Sequence, residues 1–137
     1  MELAVTREDL QDLLAEHAFT RSYRYAVLSI ADGECTLLVP FQSAFERPGG
    51  VVSGQVFMGA ADIAMWLAIK TRLGLSDPSL TVEMKTNFLS GARHEDFQCT
   101  ARVLKLGRRL IYGVAECATE KGRLLTHHTV TYIRPER

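Results

Sequence analysis

Asp62 is the residue whose type and setting first suggest chemistry. It is the one charge in the nineteen residues from Val51 to Ile69, a run that is otherwise apolar and rich in small side chains: Ser53, Gly54, Gly59, Ala60, Ala61, Ala64 and Ala68. An isolated carboxylate in such surroundings costs several kcal/mol unless it is paired, hydrogen-bonded or set at a cavity. Held in a cleft, it suits work as a general base or nucleophile. The plainer account is a notch open to solvent or an acceptor for a neighbouring strand. Ser53-Gly54-Gln55 stands at the expected N-terminus of the same helix. The first turn there offers unpaired N–H groups and the positive end of the helix dipole. With no Cβ, Gly54 lets a substrate oxygen approach those N–H groups, which would form an oxyanion hole for a carbonyl. Ser53 also reads as a simple N-cap.

Spacing sharpens the point. Gly54 and Asp62 are eight residues apart, so roughly 12 Å apart along one helix. A reacting carbonyl needs its oxyanion donor and its base within about 3 Å of it or of the attacking water. The two groups do not easily serve one carbonyl from one chain. Two antiparallel copies of the helix in a two-fold dimer would bring Gly54 of one near Asp62 of the other. The expectation is a site shared between subunits.

Other reactive residue types carry less. His127 and His128 are adjacent in an expected strand and point to opposite faces, so they do not chelate one metal. His17 and His94 stand alone, and no metal site is expected. Ser29, Ser43 and Ser90 lack a nucleophile-elbow context. The three cysteines, Cys35, Cys99 and Cys117, are odd in number and widely spaced, with no CxxC. They read as small packed residues in a reducing compartment rather than as disulfides or a zinc knuckle.

The elements that must position these groups follow from periodicity. Thr6-Arg7-Glu8-Asp9 supplies a capping hydroxyl three residues before an acid, and Leu10, Leu13 and Leu14 recur at helical spacing with His17 continuing the face. A short helix is expected over about 7–18. Two β-rich runs, Tyr23–Ile30 and Cys35–Val39, flank an Asp32-Gly33 hairpin signal. Phe41 to Gly50 reads as a loop broken by Pro48-Gly49-Gly50. A central helix is expected over about 54–73. A membrane span is rejected, because Ser53, Gln55 and Asp62 would lie in lipid and strand patterns follow. Leu80 to Leu89 alternates, with Leu80, Val82, Met84, Thr86 and Phe88 on one face. Phe97–Leu106, Leu110–Thr119 and Leu124–Ile133 complete an antiparallel meander joined by short turns. The class is α+β: a long central helix wrapped by a curved antiparallel sheet of five to six strands.

The 137 residues fit one domain, spanning 1–137, with no repeat or linker dividing it. Hydrophobic residues at 47% exclude a disordered or low-complexity chain. Sixteen Lys+Arg balance sixteen Asp+Glu, so no global field draws the protein to nucleic acid or an anionic membrane. Residues Met1 to His17 are acidic and amphipathic with no apolar core, so no signal peptide is expected and the location expected is cytoplasmic.

At this point the residues resemble a family. Val52-Ser53-Gly54-Gln55-Val56-Phe57-Met58-Gly59-Ala60-Ala61-Asp62-Ile63-Ala64 looks like the helix signature of hotdog-fold acyl-CoA thioesterases of the phenylacetate-pathway type, His-Gly-Gly, six residues, then Asp and a small residue. The resemblance covers about residues 23 to 134. It implies that Asp62 is the catalytic acid and Gly54 the oxyanion-hole glycine. Thr81, in Leu80–Leu89, falls where members often carry a Ser or Thr that positions the attacking water. Ser53 replaces the signature His, Gln55 its second Gly, and Arg47-Pro48-Gly49-Gly50 a stretch that often holds an Asn. Ser53 can still cap, and Gln55 can offer a side-chain amide to the carbonyl.

The implied function is hydrolysis of acyl-CoA to free acid and coenzyme A by a homodimer or dimer of dimers, with no cofactor. Arg93, Arg108 and Arg109 near strand ends, with Lys105, would hold coenzyme A phosphates, or simply face solvent at turns. Phe57, Met58 and Phe88 would line the acyl pocket, or simply pack with Trp66 in the core. Two rivals stand: a non-catalytic acyl-CoA-binding or structural hotdog protein, and an acyl-thioester dehydratase. The dehydratase needs a His close before the helix, and none occurs between His17 and His94.

Overall fold

The computed structural model describes residues 2–135. Helix α1 spans Arg7–Glu16 and opens on the capping box read in the sequence: Asp9 N–H donates to Thr6 Oγ1 and Thr6 N–H donates to the Asp9 carboxylate. It ends two residues earlier than the spacing predicts. His17 is extended, and the Thr20 hydroxyl donates to the Leu14 carbonyl at 2.7 Å, so the helical bond that would continue α1 is replaced. A one-turn helix α2 follows at Ala18–Arg21. His17 is exposed rather than part of the buried face, which is carried by Leu10 and Leu14.

Strands β1 (Ala26–Ala31) and β2 (Glu34–Val39) form the hairpin, with Ala31 opposite Glu34 and Asp32-Gly33 as its two-residue turn. Gly33 takes φ +70°, the left-handed conformation such turns demand. Tyr23 to Tyr25 lie outside β1, in a turn where Arg24 has φ 57°. The expected loop 41–50 contains a single 3-10 turn, Ser43–Phe45, and the two-residue strand β3 (Glu46–Arg47), which pairs with β4 (Val51–Val52).

Helix α3 runs from Gly54 to Leu73, the expected bounds. Strands β5 (Leu80–Phe88), β6 (Phe97–Leu106), β7 (Leu110–Ala118) and β8 (Leu124–Ile133) complete a six-stranded antiparallel sheet ordered β1-β2-β6-β7-β8-β5. β5 and β6 are therefore not neighbours, as a simple meander from β5 would make them. β6 adds to β2, and β5 closes the opposite edge against β8. The result is the wrapped-helix hotdog architecture.

The helix lies close on the sheet because both surfaces are nearly bare. Ala60, Ala61, Ala64 and Ala68 of α3 are fully buried over Cys99, Ala101, Ala115 and Cys117 of β6 and β7. At Gly113 an added Cβ would collide with Met65 Cε and the Arg102 carbonyl oxygen, so Met65 occupies the space a side chain would need. At its far end, Lys70 is 2% exposed; its ammonium lies 4.8 Å from the Trp66 ring centroid and donates to the carbonyls of Leu75 and Asp77. Burial lowers its pKa, partly opposed by the Asp77 charge. Those bonds hold the segment that leads into β5. Among the described residues no helix is long and apolar enough to cross a membrane.

Candidate functional site

Gln55, Met58, Gly59, Asp62 and Trp66 recur three and four residues apart, so they share the outer stripe of α3 while the alanines face the sheet. Gln55 and Met58 are exposed, and Asp62 is half-buried. Asp62 is neither bare in solvent nor orphaned. The Thr81 hydroxyl donates to its Oδ1 at 2.7 Å. The Tyr132 hydroxyl lies 2.7 Å from the same Oδ1 and 3.0 Å from the Asp62 backbone carbonyl. Tyr132 is 3% exposed; burial first, and then the nearby Asp62 charge, push its pKa upward, so it stays protonated. Among the described residues no hydrogen bond reaches Oδ2.

Plain alternation along Leu80–Leu89 puts Thr81 on the face opposite Met84. A β-bulge corrects this. Thr81 pairs with Tyr132 and Glu83 with Thr131, so Val82 is an extra residue with no cross-strand partner. The bulge moves Thr81 onto the helix-facing side with Met84 and Thr86, and sends Leu80 and Val82 outward, 61% and 52% exposed. The expected face of Leu80, Val82, Met84, Thr86 and Phe88 therefore holds only from Met84 onward.

At the other end of α3, Ser53 caps the helix, its Oγ accepting from Gln55 N–H at 3.3 Å. Gly54 opens the helix and lines a cleft of about 510 Å³ with Val51, Val52, Phe57, Phe88 and Leu89, with Arg47 at its rim. The Phe88 ring lies against Gly54: a Cβ there would stand 3.0 Å from Phe88 Cε1. Phe57 and Phe88 both line this cleft at the helix start, and the Phe57 ring packs on Phe97 with centroids 4.8 Å apart. Met58 lies outside this cleft on the outer stripe, and Gln55 opens with Ser53 into a separate recess of about 460 Å³ beside Tyr23 and Phe45.

The arginines divide. Arg93 donates to the Gly49 carbonyl at 2.7 Å and fastens the β3–β4 turn. Arg108 and Arg109 line a recess of about 380 Å³ with Arg134, Asp77 and Pro78. Arg134 was not singled out in the sequence. It follows Tyr132 by two residues, and its backbone N–H donates to the Arg109 carbonyl, which draws the β6–β7 turn to the end of β8 nearest Asp62.

A second polar cluster lies four rungs along the same ladder. His128 is fully buried, its Nδ1 2.8 Å from Thr86 Oγ1 and its Nε2 2.7 Å from Thr126 Oγ1. Cys117 Sγ lies 4.0 Å from Nε2 and stands opposite Cys99 across β6 and β7. The paired thiols shift in opposite directions: Cys117 is drawn down by its interaction with Cys99, against burial and with His128 and Thr126 assisting, while Cys99 is pushed well up.

The sequence singles out Asp62, Thr81 and Gly54 as candidates but not Tyr132. The signal was present: alternation along β8 puts Tyr132 on one face with Val130 and His128. It becomes readable only once β5 is known to pair with β8.

Residues 49–126 match the thioesterase superfamily. A Saccharolobus solfataricus protein that carries an esterase name is 32% identical over 98 residues, covering 72% of this chain and 69% of the relative. Zebrafish thioesterase superfamily member 2 superposes with a TM-score of 0.86 at 22% identity, covering 96% of this chain and 99% of that one. A variant of the phenylacetic acid degradation protein PaaI of Thermus thermophilus superposes with a TM-score of 0.78 at 22% identity, covering 87% of this chain and 100% of that one.

Proposed function

Because the chain belongs to the thioesterase superfamily, we propose that it hydrolyses acyl-CoA thioesters at a site shared between two copies of the chain. The observation that carries this reading is the state of Asp62. A carboxylate on the outer stripe of an apolar helix has one oxygen engaged by two hydroxyls and, among the described residues, no hydrogen bond to the other. The edge position of β5, with Leu80 and Val82 exposed on it, supports an assembly, since an unpaired apolar edge invites a second chain.

In the proposed reaction the thioester carbonyl oxygen accepts from Gly54 N–H, where the helix dipole and the missing Cβ favour a developing negative charge. Gln55 adds its carboxamide from the adjoining recess, and Ser53 holds the turn. Asp62 of the second copy removes a proton from water through Oδ2. The resulting hydroxide attacks the carbonyl carbon. The tetrahedral oxyanion collapses, breaking the C–S bond, and the departing thiolate recovers the proton from Asp62. Direct attack by Oδ2, giving an anhydride that water then opens, uses the same groups. Thr81 orients the carboxylate and the water. Phe57 and Phe88 line the acyl end, with Met58 contributing from the stripe that faces the partner. Arg108 and Arg109, joined by Arg134, form the anion recess that suits the phosphates of coenzyme A. Arg93 serves the same end indirectly, by fixing the turn beside the cleft.

The test is release of free thiol from a panel of acyl-CoAs by the wild type and by Asp62→Asn. Turnover by the wild type and its loss in the variant support the proposal. Tight acyl-CoA binding with no hydrolysis by the wild type replaces it with a binding protein.

A further inference from the structure

We propose that Tyr132 is a positioning residue for Asp62, clamping its carboxylate from the core so that one oxygen alone is presented to the reaction. This rests on the hydrolytic reading above and extends it to a residue beyond the helix signature. The argument begins with the ladder. Tyr132 and Thr81 are direct partners on β8 and β5, and the Val82 bulge in β5 turns Thr81 to the α3 side that Tyr132 already faces. Their hydroxyls converge on a single atom, Oδ1, at 2.7 Å each. A carboxylate with both donors on one oxygen has its side-chain torsions fixed and its second oxygen free.

The two donors are not equivalent. Thr81 is exposed on the edge strand, whereas the Tyr132 ring is 3% exposed and held by the core. Its hydroxyl also lies 3.0 Å from the Asp62 backbone carbonyl, so the same group registers the helix against β8 and aims the side chain. A rigid donor rooted in the core preserves alignment of the base, and misplacement of a catalytic group by a fraction of an ångström to an ångström is costly in rate.

The decisive experiment is a double-mutant cycle on thioester turnover with Tyr132→Phe, Asp62→Asn and the pair combined. Phenylalanine fills the same space, so the melting temperature should move by only a few degrees. The expected result for Tyr132→Phe is a kcat lowered about 10-fold with KM within about twofold, and no further loss when it is added to Asp62→Asn, because groups acting as a unit are not additive. A kcat equal to wild type, or losses that multiply in the combined variant, overturns the positioning role. If Asp62→Asn itself turns over like wild type, the hydrolytic reading falls and takes this role with it. If Asp62→Asn fails while Tyr132→Phe does not, only the positioning role falls.

Discussion

Two polar clusters lie between β5 and β8, and they are built alike. In each, a threonine of β5 meets a ring of β8: Thr81 with Tyr132, and Thr86 with His128. They differ in what the ring then touches. Tyr132 points to a half-exposed carboxylate that keeps one oxygen free. His128 has both nitrogens engaged by threonine hydroxyls and no exposed surface. Residue types do not separate the two, since histidine and a nearby cysteine look more reactive than tyrosine and threonine. What separates them is a leftover valence with a route to solvent. A satisfied, sealed cluster specifies packing, and an incompletely satisfied one at the surface is available to a substrate.

Four experiments put this contrast at risk. The largest effect belongs to Asp62→Asn, expected to lower thioester turnover by about 100-fold or more while circular dichroism stays native. A second variant with Gly54→Ala should also be nearly inactive, because its new methyl group meets the Phe88 ring at the start of α3. Mixed with Asp62→Asn and allowed to exchange subunits, it should recover roughly a quarter of wild-type activity, as half the dimers would hold one intact site. No recovery on mixing places Gly54 and Asp62 in separate or single-chain roles.

At the sealed cluster, His128→Leu leaves Thr86 and Thr126 without their nitrogen partners. It should cost about 2 kcal/mol in urea denaturation, with turnover per folded molecule preserved. A large kcat loss at unchanged stability would make His128 part of the chemistry. The smallest effect concerns the thiols. Cys117 is drawn toward the thiolate, yet it and Cys35 and Cys99 are fully buried. The native protein should therefore show almost no reaction with a thiol-specific disulfide reagent over minutes, and three reactive thiols in denaturant. Rapid labelling of the folded protein would show that the interior opens readily.

Much of the architecture is legible because it is encoded locally. Asp32-Gly33 sets the hairpin, Ser53 and Gly74 bound α3, and the strand patterns of β6 to β8 need only neighbouring residues to be read. Asp62 stands out by contrast with its surroundings. What escapes depends on contacts distant in sequence. The partners of Asp62 are 19 and 70 positions away. The surplus Val82 inverts the face of every residue before it, and alternation counted along one strand has no means of sensing that. The end of α1 escapes for a related reason, since a threonine side chain beyond the helix captures a carbonyl that periodicity assigns to the next turn.

The bare contact between α3 and the sheet limits how this domain can accommodate its ligands. With Met65 filling the place of a side chain at Gly113 and alanines facing alanines and cysteines, the layer beneath the helix has no slack in which to house a chain of methylenes. Any taste for longer or bulkier guests must be accommodated at the rim, around Phe88, Val51 and whatever surface abuts them. Diversification of such a scaffold is therefore expected to proceed along its margins, with the interior held to a near-constant thickness.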